Sequence, residues 1–247
     1  YKEMSLNKIV LLGVGQTARA LKKLLSSDSD MRQLLAGDKN GPPLEIWGTT
    51  RAASGAALEE LGIRQILLSN QTAGESHWQD QLQAVCRDAY VLVSFPPDGN
   101  SDQVFFDIVI AAKPKATVYI STTGVYGKTS GIIDERSAVD EDDPRAVVRL
   151  NAEKVWAAQA VILRAPGLYD ANSGLPRRLL SGSYRLPGDG SNFVSRIHLD
   201  DLATIIVKAW LAQSSSLSAS APMYVVGDLK PTSHLEVVSW LCNQLSL

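Results

Sequence analysis

Short apolar runs alternate with longer amphipathic stretches over the first two thirds of the chain. Lys8–Leu12 is such a run and ends at Gly13; residues 17–25 then carry Ala18, Leu21, Leu24 and Leu25 at helical spacing. Further runs at 44–47, 63–68, 90–93 and 117–120 are too brief for helices and are bounded by Gly, Pro, Ser or Thr. Helical patterns lie between them at 55–61, 77–86 and 102–112, and residues 143–160 and 161–164 add a last helix and strand. Strands that read as continuous apolar runs are buried on both faces. The repetition therefore predicts an α/β fold, a parallel sheet with helices on both sides.

The rhythm changes after Ala165. Pro166, Pro176, Gly182 and the Pro187-Gly-Asp-Gly190 run punctuate short elements, which predicts a smaller, loop-rich lobe. A late strand at 223–226 and a closing helix at 235–245 follow. The expected division is a core over 1–165 and, over 166–247, mainly the small lobe together with that strand and helix. Residues 37–43, with two Gly and two Pro, and the Ser-rich 213–221 read as exposed loops.

The turn after the first strand carries candidate chemistry. Gly13-Val-Gly15-Gln16-Thr17-Ala18 fits G-x-G-x-x-G/A between a predicted strand and a predicted helix. The first Gly permits a tight turn and the second lets backbone approach a pyrophosphate. Ala18 lets helix and strand pack closely, and the helix N-terminus offers N–H donors. These features predict a Rossmann-type doubly wound sheet that binds a nicotinamide dinucleotide.

The second strand ends in Ile46-Trp-Gly-Thr49-Thr50-Arg51, without the carboxylate that an NAD site places there; Glu45 comes too early. Arg51, helped by Thr49 and Thr50, suits a 2′-phosphate, so NADP is expected in preference to NAD. The alternative is a solvated Arg that opens a helix. Residues 26–43 delay this strand beyond the usual interval of about 20 residues. Ser94, Phe95 and Pro96 close the next strand on the same crevice; they either border the ribose or simply terminate the strand.

Composition narrows the field. The chain has 247 residues, 45% apolar and 20% charged, as in an ordinary globular protein. With 24 Lys and Arg against 26 Asp and Glu, its net charge of −2 provides no field for nucleic acid or anionic membranes. Cys86 and Cys242 form no C-x-x-C pair and read as small core residues in a reducing compartment. No apolar run reaches the ~18 residues of a bilayer span. The expectation is a soluble, cytoplasmic protein with no membrane or nucleic-acid partner and no metal. The three His are too scattered for a zinc motif, Gly127-Lys-Thr lacks the earlier Gly of a P-loop, and no G-x-S-x-G elbow is present.

Residues 118–127, Val-Tyr-Ile-Ser-Thr-Thr-Gly-Val-Tyr-Gly, resemble the catalytic strand end of the extended short-chain dehydrogenase/reductases, the NAD-dependent epimerase/dehydratase type. The resemblance continues through Leu163-Arg164-Ala-Pro-Gly-Leu-Tyr169, Ser195-Arg196-Ile-His198-Leu-Asp200-Asp201 and Met223-Tyr-Val-Val-Gly-Asp228, and so spans nearly the whole chain. It implies a small C-terminal substrate lobe and a small polar, sugar-derived substrate; a homodimer is compatible with it.

The resemblance also implies individual roles. Thr122 matches the catalytic hydroxyl, Ser121 lies at the cofactor, and Thr123, Arg164, Tyr169 and Arg196 are substrate contacts. His198 and Asp201 are expected to organise structure. The family's Tyr-x-x-x-Lys pair is replaced: counting back from Glu153 puts Arg149 at the Lys position and Arg145 at the Tyr position. A guanidinium stays protonated and is no general base near neutral pH. Arg149 remains suited to the cofactor ribose or phosphate. Proton transfer is left to Tyr126, Tyr169 or a water, with Tyr126 the candidate catalytic phenol. Two readings follow: an atypical oxidoreductase or epimerase-like enzyme, and a non-catalytic protein that senses NADP or NADPH.

Overall fold

The computed structural model describes residues 7–36, 44–51, 58–68, 77–215 and 221–247. The expected loop at 37–43, the start of the expected helix at 55–61 and most of the Ser-rich 213–221 stretch lie outside them.

Seven strands form one parallel sheet in the order β10-β6-β5-β4-β1-β2-β3. They are β1 (Lys8–Leu12), β2 (Glu45–Thr50), β3 (Arg64–Leu67), β4 (Ala89–Val93), β5 (Ala116–Thr122), β6 (Ala160–Ala165) and β10 (Met223–Val225). From β1 the sheet grows one way through β2 and β3 and the other way through β4, β5, β6 and β10. The order reverses between β1 and β4, and ligands of doubly wound sheets bind in the crevice at such a point.

The strands sort their side chains by parity. Ile9, Leu11, Tyr90, Leu92, Val118 and Leu163 pack on one face with helices α1 (Gln16–Ser27), α2 (Ser29–Ala36) and α7 (Leu199–Ser215). Val10, Leu12, Val91, Val93, Tyr119 and Ile162 pack on the other with α3 (His77–Cys86), α4 (Ser101–Ala112) and α5 (Pro144–Trp156). A period of two distributes one apolar run between two cores, which is why these strands contain no polar face. Fully burying one such Leu or Ile contributes about 1.5–3 kcal/mol.

Two elements differ from the sequence expectation. The delay before β2 contains a helix, α2, whose Leu35 is buried in the first core. The helix expected over 143–160 stops at Trp156. Residues 157–159 turn so that Ala160 can join β6, and strand pairing overrides their helical propensity.

Past Ala165 the chain contributes to both parts of the molecule. β7 (Gly167–Tyr169), α6 (Leu175–Leu180), β8 (Phe193–Val194), β9 (Arg196–His198), β11 (Thr232–Ser233) and α8 (His234–Leu245) form the lobe. Between them α7 and β10 return to the core, where Ile206, Val207 and Trp210 are buried and β10 pairs with β6. The Trp210 indole donates to the Val91 carbonyl at 2.9 Å and so fixes α7 to the central strands.

One buried carboxylate lacks a full set of partners. Asp102, 4% exposed at the start of α4, accepts from the Trp156 indole through Oδ1, while Oδ2 has no partner among the described residues. Burial raises its pKa, partly offset by the Trp156 hydrogen bond and by Arg149. The folded state therefore holds this proton more tightly than the unfolded chain does, and stability falls as pH rises past the ordinary Asp range. Asp102→Asn, which has no proton to lose, is expected to raise the melting temperature at pH 7 by about 2–4 °C, with the gain shrinking as the pH falls toward the ordinary Asp range. Thermal melts from pH 4 to 8 check this; a lower melting temperature at pH 7 would contradict it.

Candidate functional site

Hydrogen bonds at the crevice mouth fix the glycine turn. Gly13 has φ +88°, a conformation that L side chains rarely adopt, and an added Cβ would lie 3.0 Å from Phe95. Its N–H donates to Thr49 Oγ1 at 2.9 Å, and its carbonyl accepts from Ser94 Oγ at 2.9 Å. Thr49 and Ser94 thus brace the turn from the two flanking strands. Thr49 is buried and faces the turn, and Phe95 packs on Phe105 with ring centroids 5.1 Å apart. Pro96 is exposed beyond them.

Gly15 differs from Gly13. It caps α1 from an extended conformation, and a Cβ there would meet nothing within 4 Å among the described residues. Among the described residues no side chain caps the helix, and its first turn holds no acidic residue. Gln16 is exposed, whereas the Thr17 and Ala18 side chains are buried against the core. A helix N-terminus with open space above its capping Gly and uncompensated N–H donors suits an anion such as a pyrophosphate. These residues fit a dinucleotide.

Arg51 leaves the tip of β2 and reaches Asp98 in the loop after β4, with Nη2 3.5 Å from Oδ2. Thr50 is half-buried beside it.

The end of β5 bears a second hydrogen-bonded group. Thr122 begins a 3-10 turn over Thr123–Tyr126, and its Oγ1 accepts from the Gly124 N–H at 3.1 Å. The Thr122 hydroxyl proton is thereby left for an outside acceptor; Thr123 next to it is half-buried. Ser121 points the other way, into the protein, and donates to Glu153 Oε1 at 2.5 Å. Arg164 is the β6 register partner of Ser121 and binds both Glu153 oxygens, at 2.9 and 2.6 Å. Arg164 Nη1 also donates to the Tyr126 hydroxyl at 2.8 Å, and that hydroxyl donates to the Asp134 carbonyl at 2.9 Å. The Arg164 and Glu153 side chains are 6% and 7% exposed.

Three sequence candidates are therefore committed to this interior network: Ser121, Tyr126 and Arg164. Residue types alone do not reveal it, because Ser121, Glu153 and Arg164 meet only through the β5–β6 register and the packing of α5. The available signal is Glu153, four residues after Arg149 and so on the same helix face.

Arg149 lies at the junction of α5 and β5. Nη1 donates to the Tyr119 hydroxyl at 3.0 Å and the Ile120 carbonyl at 3.2 Å; Nε and Nη2 make no hydrogen bond to the described residues. Burial pushes the Tyr119 phenol up to about 12, so it keeps its proton at neutral pH. Arg145 is exposed in the first turn of α5.

On the lobe side, β7 pairs with β9 so that Tyr169 stands beside His198, rings edge to face at 5.2 Å. His198 Nδ1 accepts the Asp200 N–H at 3.2 Å. Burial, then Asp228 and Asp201, raise the Tyr169 pKa. Arg196 donates through Nη1 to the Val194 carbonyl and Thr232 Oγ1, while Nη2 is buried without a partner among the described residues.

Among the described residues no helix is long and apolar enough to cross a membrane, and no group of three or more His, Cys, Asp or Glu could hold a metal ion. No protein-family model matches the chain, and no curated protein matches it in sequence.

Solved structures do match. A conserved protein of unknown function from Silicibacter pomeroyi superposes with a TM-score of 0.73 at 24% identity, over 98% of this chain and 79% of that one. A protein provisionally described as an NAD-dependent epimerase/dehydratase, from Methylobacillus flagellatus, gives 0.68 at 19% identity, over 98% and 83%. This chain shares the fold of both proteins. UDP-glucuronic acid 4-epimerase from Bacillus cereus, solved with UDP-glucuronic acid and NAD, gives 0.67 at 16% identity over 97% and 83%. The shared fold covers both the parallel sheet and the elements after Ala165, since these matches span 97–98% of this chain.

Proposed function

We propose that the chain binds a nicotinamide dinucleotide across the β1–β4 crevice and acts on a small polar, sugar-derived substrate as an oxidoreductase or epimerase-like enzyme. The observation that carries this reading is the uncapped N-terminus of α1, with open space above Gly15 and Gly13 held in its turn by Thr49 and Ser94. The backbone N–H groups of Gly15, Gln16 and Thr17 hold the pyrophosphate. Arg51 and Thr50 receive a 2′-phosphate, which favours NADP over NAD, and Ser94, Phe95 and Pro96 border the ribose. Arg149, anchored on Tyr119 and Ile120, offers Nε and Nη2 to the nicotinamide-side ribose or a phosphate. When bound, the nicotinamide supplies a hydride donor or acceptor.

On the substrate side, Thr122 donates its hydroxyl proton to a substrate oxygen, with Thr123, Tyr169 and Arg196 as further contacts. The Tyr126 hydroxyl is engaged at both its hydrogen and its oxygen, so this reading moves Tyr126 and Arg164 from chemistry to support of the 3-10 turn. Tyr169 remains as a phenol whose raised pKa keeps it protonated, suited to donate rather than remove a proton.

Arg51→Ala tests the cofactor assignment. Removing a charge-assisted contact to the 2′-phosphate is expected to weaken NADPH binding by about tenfold or more and leave NADH binding unchanged. Equal loss for both cofactors, or no loss, would contradict the role given to Arg51. Turnover is tested by incubating the protein and NADPH or NADP with a panel of carbonyl compounds and UDP-sugars and following products by chromatography. A converted substrate supports the enzyme.

Cofactor binding with no conversion supports the second reading, a dinucleotide-responsive protein without chemistry. That reading draws on the absence of the Tyr-Lys pair and on the committed state of Tyr126.

A further inference from the structure

Arg51 follows β2 and Asp98 lies in the loop after β4, while β1 runs between those two strands. Their ion pair therefore spans the Gly13–Gly15 turn at the adenosine end of the crevice. The two partners are held very differently. Asp98 Oδ1 accepts the N–H groups of Asn100 and Ser101 at 3.0 and 2.7 Å, and Oδ2 accepts the Ser101 hydroxyl at 2.6 Å. This turn leads into α4 and fixes the carboxylate in place. The Arg51 side chain is 74% exposed and is bound to Asp98 by one 3.5 Å contact, leaving most of its five donors without a partner among the described residues. Arg51 is the movable partner and Asp98 the fixed one.

We propose that Asp98 is a specificity-determining residue: a fixed anion that competes with a 2′-phosphate for Arg51 and accepts the 2′-hydroxyl of NAD. The inference rests on the reading of Arg51 as the 2′-phosphate contact. A phosphate drawn to the guanidinium fork must settle beside a carboxylate that cannot swing away, and like charges at that range repel. A ribose without the phosphate brings a hydroxyl donor to the same carboxylate. The Ser101 hydroxyl, then the Ser101 and Asn100 N–H groups, and finally Arg51 lower the Asp98 pKa to about 2, so the anion persists at every working pH. The site thus holds one residue for each cofactor, and Asp98 narrows the preference that Arg51 creates.

The test is titration of NADPH and NADH into the full chain and into Asp98→Asn, whose amide oxygen still accepts from Asn100 and Ser101. NADPH is expected to bind about five- to tenfold more tightly to the variant, and NADH about twofold more weakly. An unchanged ratio of the two dissociation constants, or an equal gain for both cofactors, would overturn the proposal. Asp98→Ser, which keeps a short acceptor side chain ahead of α4, repeats the measurement if Asp98→Asn does not fold. Arg51→Ala separates this proposal from the one beneath it. If that variant binds NADPH as the parent does, the 2′-phosphate assignment has failed; if it loses NADPH while Asp98→Asn shifts nothing, only the role of Asp98 has failed.

Discussion

Glu153→Ala is expected to cost about 3–5 kcal/mol of folding stability, the range for breaking a buried ion pair from one side. Glu153 is the acceptor shared by Ser121 and by Nε and Nη2 of Arg164, with the ion-paired side chains almost fully enclosed. Without it the guanidinium stays buried with the Tyr126 hydroxyl as its one remaining partner among the described residues, and Ser121 loses its acceptor. Arg164→Met removes the other charge and leaves an uncompensated carboxylate, so a comparable loss is expected. The double variant Glu153→Leu with Arg164→Met removes both charges and should recover much of the stability, because two apolar side chains carry no desolvation cost. Urea unfolding of the three variants checks this. A single variant within about 1 kcal/mol of the parent, or a double variant at the sum of the two losses, would show that the pair does not act as a unit.

The second large effect separates binding from folding. Gly15→Val is expected to weaken NADPH binding by about a hundredfold while leaving the melting temperature within about 2 °C of the parent. An added Cβ at Gly15 meets nothing within 4 Å among the described residues, and the residue has negative φ, so the fold tolerates the side chain. The same side chain fills the space through which a pyrophosphate reaches the first N–H groups of α1. Gly13 gives the contrasting outcome, because its φ of +88° and its contact with Phe95 make any side chain a defect of the turn itself. Calorimetric titration beside a thermal melt reads both quantities. A Gly15→Val variant that binds as the parent does would place the cofactor elsewhere.

Much of this architecture was legible because strands buried on both faces announce themselves as apolar runs. The runs beginning at Lys8, Tyr90 and Thr117 all became central strands. The Gly13–Ala18 fingerprint was equally readable, since its constraints are local. α2 went unseen because residues 26–43 mix polar and apolar positions and its one fully buried residue, Leu35, comes near its end. α7 was hidden behind the His198–Asp201 motif at its start, although Leu202, Ile206 and Trp210 have helical spacing.

The site was less legible than the fold. Ser121, Thr122 and Tyr126 lie within six residues, and their side chains serve different ends: Thr122 opens the 3-10 turn, while Ser121 and Tyr126 meet Glu153 and Arg164 inside the protein. Strand alternation separates Ser121 from Thr122, but only the register with β6 shows where Arg164 waits. Asp98 is 47 positions from Arg51, and nothing in either local sequence links them.

The central claim is that a dinucleotide lies over the C-terminal ends of β1 and β4, and a crystal structure with bound NADPH tests it most directly. The pyrophosphate is expected on the N–H groups of Gly15–Thr17, the 2′-phosphate against Arg51, and the nicotinamide beside Thr122. Density for NADPH in the lobe, or a crevice whose Gly13–Gly15 turn makes no contact with phosphate, would contradict it.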